Sequence, residues 1–185
     1  MQNLTGKLLI AMPGMQDPRF ANSVVFLWEH SPQRTLGLIV NKPAPEIQPK
    51  DLFSQLGIEL SASAEALNIH YGGPVESGRG FVLHSRDYSR NTSTLPVTEG
   101  VGMTATLDIL QDIAEDRGPA QAILALGCAG WGPGQLEDEI QANGWLTADA
   151  ETEIVFSEDD ASKWSLALKS LGVDAIALSS AAGHA

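Results

Sequence analysis

Disulfides are excluded at once: the 185 residues contain one cysteine, Cys128. That also removes any all-cysteine metal site. Cations are scarce too, with 11 Lys and Arg against 23 Asp and Glu, a formal charge of −12 and a pI near 4.5. So acidic a chain repels phosphate backbones unless its cations cluster, and here they are scattered, which argues against direct nucleic-acid binding. Long apolar runs are missing: no window approaches the roughly 18 residues that span a bilayer. The opening "MQNLTGKLLIAMPGM" carries one lysine and an apolar run too short for a signal peptide. The expected compartment is a bacterial-type cytoplasm, away from membranes, where the sequons at Asn3 and Asn91 have no meaning. No internal repeat or low-complexity linker is visible.

What is present is globular: 43% hydrophobic and 18% charged residues, in a length suited to one domain over residues 1–185. Strand-like runs come early, "KLLIAM" (7–12), "SVVFLWEH" (23–30) and "TLGLIVNKP" (35–43), the last two joined by the hairpin-type connection "SPQR". A short helix is expected over 49–57, between Pro49 and Gly57. Two short strands should surround the glycine-rich "GGPVESGRG", and "STLPVTEGVGMT" reads as extended. A helix over 106–119 would bury Leu107, Leu110 and Ala114, with Thr106 as its N-cap. A buried strand at 121–127 leads to a helix at 133–143. "WLTA" and "EIVF" read as strands, and the helix at 158–172 turns Trp164, Leu168 and Leu171 inward. Helices and strands interspersed in this way give an α/β or α+β fold on a mixed sheet.

The stretch "LALGCAGWGPGQLEDEIQANGWL" (124–146) is the most informative. A strand entering glycines and then a helix can hold an anion on free N–H groups. Glu137, Asp138 and Glu139 oppose that reading, since they satisfy the helix dipole themselves. A structural corner competes there with a small-molecule cradle. Cys128 stands where a nucleophile elbow would place its thiol, yet a lone cysteine at a strand end is ordinarily core, and no histidine is marked as its base. "GGPVESGRG" imitates a phosphate loop but puts Arg79 for the lysine and Gly80 for the hydroxyl, so it is read as a tight turn. His30, His70, His84 and His184 are isolated from one another, with no metal-ligand spacing, and no cofactor is expected. Trp131 and Trp145 flank the acidic helix. Exposed, they would mark a partner surface; core packing is the plainer reading.

In combination, "LTGKLLIAMPGMQDPRFANSVVFLWEH", "GLIVNKP", "YGGPVESGRGFVLH", "STLPVT", "GWGPGQLEDEIQANGWL" and the terminal "GHA" resemble the YqgE/AlgH family of bacteria, in order from residue 4 to the C-terminus. The resemblance implies a compact α/β domain whose strongly bent mixed sheet forms a pseudo-barrel flanked by helices. The family has no established enzymatic activity, so the resemblance supplies no catalytic residues to carry over. Shared positions include Met15, Asp17, Phe20, His30, Arg79, His84, Gly130, Trp131, Gln135, Glu137, Glu139 and Trp145. Cys128 departs from the tyrosine usual in relatives, which weakens any family-wide thiol chemistry, and Trp28 replaces a frequent cysteine. The family's label of transcriptional regulator, which stems from an association with alginate production in pseudomonads, finds no helix-turn-helix or basic helix here.

The expectation is therefore a non-enzymatic binding or indirectly regulatory protein. Its surface would be the 128–137 turn, with Gly130, Trp131, Gln135 and Glu137, and with His30, Arg79 and His84 as candidate polar contributors. The partner would be a protein or small molecule of unknown identity. The alternative is a hydrolase joining His30 or His84 to a carboxylate such as Glu137.

Overall fold

The computed structural model describes residues 2–89 and 93–182. The Asn91 sequon, His184 and the terminal "GHA" lie outside the described residues. Among the described residues, nine strands are interspersed with six α-helices. The strands are β1 (Lys7–Ala11), β2 (Val24–His30), β3 (Thr35–Ile39), β4 (Ile69–Tyr71), β5 (Val75–Ser85), β6 (Thr94–Pro96), β7 (Val101–Thr104), β8 (Ala122–Trp131) and β9 (Trp145–Asp149). The helices are α1 (Pro49–Gln55), α2 (Leu107–Ala114), α3 (Gln135–Gln141), α4 (Thr152–Val155), α5 (Asp160–Ser170) and α6 (Ala175–Ala182). One sheet runs β6-β7-β5-β8-β3-β2-β1-β9, curled into a half-barrel, and β4 joins in parallel beside β8.

The continuous apolar runs arise because both faces of the central strands are covered. Leu8, Ile10, Val24, Phe26, Leu38, Phe81 and Leu83 form one core with α4 and α5. Leu9, Val25, Leu27 and Ile39 point the other way, to Leu136 of α3, while Val82 and Leu124 meet α1 and α2. The alternation in β8 changes phase at Gly127: Ile123 and Ala125 face the first core, and so does Cys128. Gly127 sits at φ +75°, a backbone shape that lets one extra residue into the strand at little cost only for glycine.

That glycine also marks a chain crossing. Residues 69–71 pair with one edge of β8 at 124–126, and residues 75 and 80–84 pair with its other edge. The chain between them passes over β8 at residues 72–74. A Cβ on Gly73 would stand 2.2 Å from the Cys128 carbonyl, and one on Gly72 would stand 2.3 Å from the Gly127 carbonyl oxygen. "GGPVESGRG" is therefore a strand crossing followed by a bulge over residues 76–79, rather than a simple turn between two short strands.

Three further expectations are corrected. "EIVF" is not a strand: Thr152–Val155 makes one helical turn that buries Ile154 and Val155, because β9 ends at Asp149 and the chain folds back over the core. Leu107 is 60% exposed, since α2 turns Ile109, Leu110, Asp112 and Ala114 inward. Leu171 is exposed likewise, and α5 buries Lys163, Ala167 and Leu168 instead. No helix among the described residues is long and apolar enough to cross a membrane.

Candidate functional site: an aromatic cavity beside the β8–α3 turn

β8 ends on Trp131, and Gly134 at φ +72° takes the position before α3. The turn is closed by side chains. Gln135 Oε1 accepts the Gly132 N–H at 3.0 Å, and Gln135 Nε2 donates to Glu139 Oε1, one helical turn on, at 3.0 Å. Asp138 N–H is used by the Gly134 carbonyl. The Gly132 N–H is thus committed to the protein and is withdrawn from any anion at this turn.

Glu139 is the centre of the arrangement. Its Oε2 accepts the indole N–H of Trp131 at 2.9 Å and that of Trp145 at 2.8 Å. Both tryptophans are buried, so they form no exposed partner surface. They are walls instead. Phe20, from the loop before β2, closes a third side, 6.2 Å from Trp131 and 5.7 Å from Trp145 between ring centroids. Asp17 and Arg19 form a two-pronged ion pair beside it, with the guanidinium carbon 5.8 Å from the Phe20 ring. The Arg19 contacts hold the Asp17 carboxyl below the ordinary aspartate range. A cavity of about 320 Å³ opens among Met15, Phe20, Pro74, Val75, Trp131 and Trp145, with Gly130, Gln135 and Glu139 on its wall.

His30 and Glu137 meet, with Nε2 to Oε1 at 2.8 Å. The other ring nitrogen, Nδ1, accepts the Leu4 N–H at 3.1 Å. The Nε2 proton therefore goes to Glu137, and neither nitrogen is free to take a proton from a substrate. The His30 hydrogen bond, first among the causes, keeps the Glu137 carboxyl below the glutamate range. The pair is a clip between β2, α3 and the N-terminal segment, and it does not line the cavity.

The other candidate residues lie elsewhere. Arg79 is exposed on the 76–79 bulge, 3.6 Å from Glu76 and over the Phe81 ring at 5.1 Å. His84 is buried in β5, its nitrogens meeting the Ser85 carbonyl and Thr104 Oγ1, each at 2.9 Å. Burial pushes the His84 imidazole pKa down. Cys128 is 1% exposed within β8, and burial, seconded by Glu76, pushes its thiol up. A reactive elbow cysteine requires the reverse. Among the described residues no group of three or more His, Cys, Asp or Glu could hold a metal. Sequence reading missed how Met15, Phe20 and Glu139 join the two tryptophans. The four-residue step from Gln135 to Glu139 was the available signal.

Comparison with known proteins bears on the family and the fold. Residues 8–176 match the family described as AlgH-like. A UPF0301 protein of Ruegeria pomeroyi is 59% identical over 184 residues, covering 99% of this chain and all of that protein. One of Paracoccus denitrificans is 54% identical, over 99% of this chain and 97% of its own. The solution structure of the AlgH protein of Pseudomonas aeruginosa superposes with a TM-score of 0.80 at 39% identity, covering 100% of this chain and 97% of that one. A crystal structure from Corynebacterium diphtheriae shares the fold at TM-score 0.72 and 22% identity, covering 91% and 87% of the two chains.

Proposed function

This chain belongs to the AlgH-like family, and from that premise we propose that it is a cytoplasmic binding protein without catalysis of its own. Its site is the aromatic cavity between Phe20, Trp131 and Trp145, and its ligand is an apolar small molecule or an apolar side chain of a partner protein. The observation that carries this reading is the state of Glu139. Its carboxylate already accepts two indole N–H groups and the Gln135 amide. A carboxylate so engaged shapes a pocket, because its oxygens are already turned to the protein's own donors. The rival hydrolase loses its pair for a related reason, because both His30 nitrogens are engaged.

Any regulatory role is indirect on this reading, acting through the bound ligand or protein. Among the described residues, the cationic side chains of Lys7, Arg19, Arg34, Arg79, Arg117 and Lys163 face carboxylates within ion-pair distance. That leaves little for a phosphate backbone.

The test is thermal unfolding against a panel of apolar and aromatic metabolites, paired with cross-linking in cells. A ligand at a hundred times its dissociation constant adds about 2.7 kcal/mol, or roughly 5–11 °C in midpoint for a domain of this size. Phe20→Ala should abolish the ligand shift, or the cross-link, without changing the fold. A shift or cross-link indifferent to Phe20→Ala overturns the assignment of this cavity, and so does silence in both assays.

A further inference from the structure

A second cavity, of about 930 Å³, lies between the 63–68 segment, the start of β8 and the α4–α5 connection. It opens where two neighbouring strands begin at different points. β4 runs parallel to β8 from Ile69, opposite Leu124, and before that register the pairing lapses. Main-chain groups alternate sides along a strand. The Leu126 carbonyl accepts the Gly72 N–H on the β4 side, at 2.9 Å, and the Gln121 carbonyl accepts the Ser85 N–H on the β5 side, at 3.0 Å. Ala122, an even number of residues from Leu126, therefore turns its N–H and C=O to the β4 side, where no strand among the described residues pairs with it. Ala122 is half-buried and lines the cavity. An unpaired strand edge is a template for another extended chain.

The side chains around this edge offer the same chemistry. Asn68 and Gln121 lie on facing segments of the wall, and both are exposed. Neither side-chain amide has a protein partner among the described residues. Each carries a donor and an acceptor side by side, the pair that a peptide unit also presents. Leu67, Pro119 and Phe156 supply apolar surface between them.

The charge left over in the cavity has one sign. Lys163 is buried, faces Asp160 at 3.0 Å and donates to the Val40 carbonyl. Arg117, next to Asp116 in the chain, is engaged by Asp112 and Glu115. Asp116 accepts hydroxyls from Ser61 and Ser63, which leaves its charge in place. Glu158 is exposed on the opposite rim, with no ion pair among the described residues. An acidic partner is repelled here and a basic one attracted.

We propose that this cleft is a docking site for an extended segment of a partner protein that carries a lysine or arginine. One peptide unit of the segment pairs with the Ala122 edge, and the Asn68 and Gln121 amides hold the units beside it. The basic side chain lies against Glu158 and Asp116. The site is separate from the aromatic cavity and stands without it.

The experiment selects a random heptapeptide library displayed on phage against the full chain, then titrates the enriched peptides, made synthetically, into isotope-labelled protein followed by NMR. Enriched peptides should carry Lys or Arg and should saturably shift the Ala122 backbone amide and the Asn68 and Gln121 side-chain amides. Methylating the nitrogen of one central peptide unit should weaken binding several-fold, since it removes a strand hydrogen bond. Gln121→Ala and Glu158→Lys, both at exposed positions and expected to fold normally, should each weaken it several-fold, and Phe20→Ala should leave it unchanged. The proposal is overturned by any of three results: no enriched peptide that shifts Ala122, enrichment there of neutral or acidic peptides, or binding indifferent to methylation at every peptide nitrogen.

Discussion

Trp131 and Trp145 meet edge to face, ring centroids 5.9 Å apart, and both indole N–H groups converge on the same oxygen of Glu139. One comes from the end of β8 and the other from the start of β9, so the carboxylate on α3 ties together the two strands that flank it in sequence. The aromatic cavity exists because this junction is rigid: edge-to-face rings add attraction beyond their buried area, and the shared acceptor sets their orientation.

Removing that acceptor leaves two buried donors unpaired. At about 1–3 kcal/mol for each unsatisfied group, Glu139→Ala should cost roughly 2–5 kcal/mol in chemical denaturation. Glu139→Gln keeps an acceptor oxygen and should cost clearly less. Equal losses for the two variants would mean that volume, and not the shared hydrogen bonds, holds the tryptophans.

The crossing of residues 72–74 over β8 makes a sharper demand. Gly73 has φ +151°, and its Cβ would fall 2.2 Å from backbone atoms of Cys128, which have no rotamer to move to. Gly73→Ala should abolish folding or remove more than about 4 kcal/mol. Gly78, five residues on, has nothing within 4 Å of its would-be Cβ. Gly78→Ala should be neutral within about 0.5 kcal/mol. Far-UV circular dichroism and soluble yield distinguish the two, and a well-folded Gly73→Ala protein would disprove the crossing.

The His30–Glu137 clip makes stability depend on acid. The folded pKa of Glu137 lies below its unfolded value, so between the two the unfolded chain binds more protons and stability rises with pH. The contribution is fully present above the unfolded pKa of about 4.3. It is lost as pH falls through the folded one. Denaturation midpoints followed from neutral pH into acid should fall more steeply for the native chain than for Glu137→Gln. Parallel curves would show that the clip forms without linkage to the carboxylate charge.

The apolar runs, the early strands and the acidic helix were legible in the sequence because each is a local pattern of period 2 or 3.6. The phase change at Gly127 and the passage of Gly73 over Cys128 were not, since each depends on a segment some 50 residues away along the chain. The same holds for the site. Trp131, Gln135 and Glu137 stood out within one stretch, whereas Phe20 reaches the tryptophans from the loop between β1 and β2, distant along the chain. His30 and Glu137 were paired on chemistry alone. Only the geometry revealed that both nitrogens of the ring were occupied. Lys163 was the least legible residue, hidden in a helix whose visible apolar face was Trp164, Leu168 and Leu171.

Lys163 also gives the most demanding prediction. It is fully buried, donates to the Val40 carbonyl and faces Asp160, joining α5 to the chain just after β3. Breaking a buried pair from one side leaves the other charge uncompensated, typically at about 3–5 kcal/mol, whereas replacing both partners is far milder. Lys163→Met alone should be strongly destabilising, and Lys163→Met with Asp160→Asn should recover much of the loss. The alkaline limb gives an independent check. Burial, opposed by the Asp160 contacts, lowers the folded pKa of Lys163. Between that value and the unfolded one, about 10.4, the unfolded chain binds more protons, so stability should rise with pH. Lys42, also lowered by burial, adds a rise of its own, which the paired variant retains. The difference between the native chain and the paired variant, measured as denaturation midpoint against pH, therefore isolates Lys163. A native curve that falls relative to the variant through this window would mean that the ammonium is stabilised by folding, and that the Asp160 contact outweighs its burial.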